Sequence, residues 1–64
     1  MFELYKRDKP IGCYSSFASA TAIANRMRGD ERAQRFTIKG PKGKQWEAML
    51  PPKGAGRARW EEAA

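Results

Sequence analysis

Residues 35–50 constrain this chain more than any other segment, because Gly40-Pro41-Lys42-Gly43 separates two runs in which apolar and polar residues alternate. Alternation with a period of two on both sides of a glycine and proline turn specifies a β-hairpin. Proline at the second turn position presets φ, and Gly43 suits the left-handed conformation that closes a type I turn with a bulge. A turn centred there pairs Lys39 with Gln45, Ile38 with Trp46, Thr37 with Glu47 and Phe36 with Ala48. In that register Phe36, Ile38, Trp46, Ala48 and Leu50 share one face. Arg35, Thr37, Lys39, Gln45, Glu47 and Met49 share the other.

The remaining segments supply partners for the apolar face. Phe2-Glu3-Leu4-Tyr5-Lys6 alternates and reads as a strand. Arg7-Asp8-Lys9-Pro10 is a turn by composition, and Ile11-Gly12-Cys13-Tyr14 is a short returning strand in which Gly12 marks a weak point or a bulge. Ser15 and Ser16 are good N-cap residues for a helix over residues 17–28. At 100° per residue Phe17, Ala20, Ile23, Ala24 and Met27 fall within an arc of about 120°, so one side of that helix is built to be buried. Gly29 suits a left-handed C′ position and should stop it.

Pro51-Pro52 ends the last strand, because proline has no N–H to give to a ladder. The stretch that follows, Lys53-Gly54-Ala55-Gly56-Arg57-Ala58-Arg59, has linker composition, with Trp60 as its one large apolar residue. The expected architecture is α+β: a small antiparallel sheet in the order β-β-α-β-β, with one helix packed on one face. The domain spans residues 1–50, and residues 51–64 form a flexible basic tail. The expected core is Phe2, Leu4, Ile11, Cys13, Phe17, Ala20, Ile23, Ala24, Met27, Phe36, Ile38, Trp46, Ala48 and Leu50. No internal repeat is present.

Size limits what this core can do. A chain of 64 residues forms one domain and buries only about 60% of the surface its unfolded form exposes. Docking of the tail, or formation of a homodimer, would add to a modest stability. With Cys13 as the single cysteine, no intramolecular disulfide and no cysteine metal cluster can form, which fits a reducing compartment. The apolar runs fall well short of the roughly 18 residues that suggest a membrane span, and Met1-Phe2-Glu3 does not open a signal peptide. The chain reads as a soluble cytoplasmic protein that does not enter a membrane.

Catalysis is the class most readily set aside. There is no histidine, so the commonest general base and metal ligand near neutral pH are missing. Asp30-Glu31 and Glu61-Glu62 are adjacent pairs, and sequence neighbours do not converge on one site; they read as solvated surface. Cys13 has no base near it in sequence and reads as a small core residue. A P-loop needs four residues between its glycines and a serine or threonine after the lysine, whereas Gly40 and Gly43 enclose two and Gln45 follows Lys44. The G-x-x-G loop of KH domains joins helices, and here both flanks read as strands. No catalytic residue, metal site or cofactor is expected.

Charge is the stronger signal. Residues 1–34 hold six basic and four acidic side chains, residues 35–59 seven and one, and residues 60–64 two acidic ones. An excess concentrated in the hairpin and tail attracts polyanions. The leading expectation is a non-enzymatic nucleic-acid-binding protein, accessory or regulatory, that contacts phosphates through Arg35, Lys39, Lys42, Lys44, Lys53, Arg57 and Arg59. With one convincing helix, whose apolar side is committed to the sheet, no helix-turn-helix forms. The alternative is a protein-interaction module docking on an acidic surface of a larger host protein, as small phage-encoded inhibitors and adaptors do. It would use Trp60 as an anchor, with Tyr5 on the open sheet face. The plainer reading of the basic face is solubility and edge protection, and that of Trp60 is fold-back onto the core.

Overall fold

The computed structural model describes residues 1–63. Its elements are β1 (Phe2–Lys6), β2 (Lys9–Tyr14), α1 (Phe17–Arg26), β3 (Gln34–Lys39), β4 (Gln45–Leu50) and β5 (Glu61–Glu62). A three-residue turn, Pro41–Gly43, joins β3 to β4. The strands form one antiparallel sheet in the order β2-β1-β3-β4-β5. The fold is α+β, as the alternation requires, and α1 packs on one face of the sheet.

The β3–β4 register is the one read from the sequence: Lys39 faces Gln45, Ile38 faces Trp46, Thr37 faces Glu47 and Phe36 faces Ala48. The turn that sets it is different. Lys42 (φ 60, ψ 30) and Gly43 (φ 75) both lie in the left-handed region, the arrangement of a type I′ turn rather than a type I turn with a bulge. Primed turns twist in the same sense as the strands they join, so sheet twist overrides the ordinary preference of lysine. Gly40 is required for another reason: a Cβ there would meet Trp46 Cζ3 at 2.7 Å and a Phe2 ring carbon at 3.1 Å.

Leu4, Ala20, Ala24, Phe36, Ile38, Ala48 and Leu50 form the buried core. The two alanines let α1 approach the sheet closely. Around them Phe2, Phe17, Trp46 and Trp60 form a half-buried aromatic cluster, with Phe17 and Trp46 centroids 4.9 Å apart and Trp60 edge-on to Phe17 at 6.1 Å. Such contacts add about 0.5–1.5 kcal/mol per pair beyond the area they bury.

Cys13 departs from expectation, being exposed. The register of β1 against β2 runs Phe2 to Tyr14, Glu3 to Cys13 and Leu4 to Gly12, then shifts so that Tyr5 faces Pro10. Ile11 is thus an extra residue that reverses the alternation behind it. Tyr14 takes the place beside the core, and Cys13 turns to the open face. The helix also ends early. Ser16 caps its start, the hydroxyl accepting from the Ser19 N–H at 3.1 Å, but Met27 is already the C-cap (φ −95, ψ 11). Gly29 is not left-handed; its carbonyl accepts from the Lys53 N–H at 3.0 Å instead.

That bond begins a docked strap where a flexible tail was expected. Arg28 donates through Nε to the Pro51 carbonyl at 2.6 Å and through one terminal nitrogen to Pro52 at 2.8 Å and Gly56 at 2.7 Å. Ala58 and Trp60 pack against the core, and β5 pairs Glu62 with Trp46 and Glu61 with Glu47. The Ala63 N–H closes on the Gln45 carbonyl at 2.7 Å. Ala64, the last residue assigned to the tail, lies outside the described residues.

Candidate nucleic-acid interface

The helix α1 covers one side of the sheet, and among the described residues no second layer covers the other. Strand alternation places Glu3 and Tyr5 of β1, Arg35, Thr37 and Lys39 of β3, and Gln45, Glu47 and Met49 of β4 on it. The paired rows bring Tyr5 opposite Thr37 and Lys39 opposite Glu3. A shallow cleft of about 510 Å³ opens among Tyr5, Arg35, Thr37, Lys39, Gln45 and Glu47, with Arg7 and Asp8 also lining it.

Two contacts give the cleft its character. Lys39 Nζ stands over the Tyr5 ring at 5.0 Å from its centroid, a cation–π geometry. The Tyr5 hydroxyl donates to Glu3 Oε1 at 3.1 Å. That hydrogen bond, and then the charge of the same carboxylate, hold the phenol above its ordinary value, so Tyr5 stays neutral well into alkaline pH. Beside it Arg35 approaches Glu47 at 3.8 Å with its side chain 66% exposed. A surface pair this loose contributes about 0–1 kcal/mol, so the guanidinium can exchange Glu47 for a better anion.

The structure divides the seven basic residues picked out in the sequence. Arg35 and Lys39 border the cleft, and Lys42 and Lys44 stand exposed on the turn at its Lys39–Gln45 end. Arg59 joins Arg35, Glu47, Met49 and Glu61 around a neighbouring hollow. Arg57 instead lines a hollow on the helix side with Phe17, Asn25 and Arg28. Lys53 lies where the strap leaves the end of α1. Neither shares a surface with the cleft.

Arg7 was legible only as part of a turn. Its φ of 57 and the bond from its N–H to the Arg35 carbonyl at 2.9 Å bring it to the cleft. Trp60, the anchor an interaction module would use, is half-buried against Phe17. Among the described residues no three His, Cys, Asp or Glu side chains gather as a metal site would require. No helix there is long and apolar enough to cross a membrane. Compared with known protein families, with curated proteins and with solved structures, the chain matches none.

Proposed function

We propose that this protein binds nucleic acid without transforming it, in an accessory or regulatory role in the cytoplasm. The observation that carries the reading is the uncovered sheet face, where Arg35 and Lys39 border a cleft and Lys42 and Lys44 stand at its end. A net charge of +6 draws the polyanion in, and the turn lysines meet phosphates as flexible point charges. The exposed, unpaired Cys13 suits a compartment that keeps thiols reduced.

The test is a salt titration of binding to labelled single-stranded and duplex oligonucleotides. Log affinity should fall linearly with log salt, by about 0.7 per phosphate contacted on a single strand and about 0.9 on a duplex. The double variant Lys42→Ala/Lys44→Ala should flatten that slope by roughly one to two units. No detectable affinity at low salt refutes the reading.

A further inference from the structure

We propose that the cleft takes an unstacked base of a single strand on the Tyr5 ring, with the strand's phosphates turned toward Lys39 and the turn lysines. This rests on the nucleic-acid reading and names its substrate class. Strand alternation leaves Tyr5 as the aromatic residue of the open face, since Phe2, Tyr14 and Trp46 all lie on the helix side. It sits on β1, an interior strand, with Thr37 directly across on β3. An aromatic ring so placed is a stacking platform. Duplex bases, already stacked on one another, cannot reach it.

The charges on the face favour the same orientation. Asp8 and Glu47 line the cleft and Glu3 holds the Tyr5 hydroxyl at its border, so a phosphate backbone laid along the cleft would run past carboxylates. Bases laid there meet hydrogen-bonding groups instead: Thr37 and Gln45 can both donate to and accept from base edges, and the Glu47 carboxylate can accept. Lys39, across from Glu3, and the exposed Lys42 and Lys44 lie toward the turn end.

Lys39 links the two halves of the site. In the free protein its ammonium occupies the ring face 5.0 Å from the Tyr5 centroid. Base stacking on an aromatic ring is worth more than an exposed cation–π contact, so an arriving base displaces the ammonium. Nζ then swings outward on its flexible stem and pairs with the phosphate of that nucleotide.

Anisotropy titrations at low salt test this with oligo(dT), oligo(rU), an abasic strand of the same length and phosphate number, a duplex, and polyglutamate. Expected is tighter binding of oligo(dT), oligo(rU) or both than of the other three. Their ratio tells whether the platform prefers DNA or RNA. Tyr5→Leu should weaken the tighter of the two by about 5- to 100-fold while leaving the abasic strand unchanged, and Tyr5→Phe, which keeps a ring, should weaken it less. Thermal melts establish that each variant is folded. If Tyr5→Leu does not fold, the abasic comparison decides alone. An abasic strand or duplex bound as tightly as the base-bearing strands overturns the stacking proposal and leaves phosphate binding standing. Polyglutamate bound equally well, or no binding of any probe, overturns both.

Discussion

Lys42 holds a backbone conformation that glycine adopts freely and lysine does not. With φ 60 and ψ 30, its Cβ crowds the following carbonyl at a cost of about 1–2 kcal/mol. Lys42→Gly should therefore raise stability by about 0.5–1 kcal/mol in urea denaturation, the larger unfolded-state entropy of glycine offsetting part of the relief. The same substitution removes one phosphate contact from the proposed site and should lower the salt slope by about 0.7 for a single strand. A variant that is both more stable and a weaker binder would identify Lys42 as a residue kept for function at the expense of the fold. Tyr5 gives a second residue-level expectation. Its phenol is raised above its ordinary value by the bond to Glu3, so the folded form holds that proton more tightly than the unfolded form. The contribution is fully present below the unfolded value, near 10, and disappears as pH rises through the folded value. Stability should thus decline in the alkaline range more steeply for the parent than for Tyr5→Phe. Difference absorbance of tyrosinate between the two proteins should place the Tyr5 midpoint above the ordinary one.

Among the elements, the β3–β4 hairpin and the strap make a contrast. Alternation on both sides of a four-residue turn leaves one register that puts Phe36, Ile38, Trp46, Ala48 and Leu50 together, and the structure adopts it. The strap has no such pattern. Arg28 stands just past the helix, and the carbonyls it binds lie 23, 24 and 28 residues further on. Nothing local distinguishes it from a solvated arginine. Three donations from one guanidinium to backbone acceptors make a clamp, and charge-assisted hydrogen bonds are stronger than neutral ones. Arg28→Met, which keeps much of the aliphatic stem, should destabilise the protein by about 2 kcal/mol. It should also speed tryptic cleavage after Lys53 and Arg57, raise exchange of the Lys53 amide, and shift Trp60 emission toward that of a solvated indole. Unchanged cleavage would mean that the aromatic contacts of Trp60 and the β5 ladder hold the strap without the clamp.

For the molecule as a whole the margin is small. A chain of 64 residues carries roughly 3–10 kcal/mol of stability at the usual 0.05–0.15 per residue. Phe36, fully buried at the centre, should cost about 3–5 kcal/mol when replaced by alanine. Circular dichroism of Phe36→Ala should show a chain largely unfolded at room temperature or melting far below the parent. The sequence by itself determined β1 to β4, the helix start at Ser16, the hairpin register and which side of the hairpin is polar. These rest on periods of two and 3.6 residues and on caps and turns, all local interactions. Tertiary structure decided the rest. The extra residue at Ile11 reversed the alternation of β2 and sent Cys13 outward, because strand pairing rather than composition sets where a bulge falls. Sheet twist chose the mirror-image turn at Lys42. Docking of residues 58–63 on the aromatic cluster and β4 turned an expected tail into part of the fold and carried Arg57 away from the cleft while leaving Arg59 beside it. Each depends on groups far apart in the chain meeting in space, which no short window of sequence encodes.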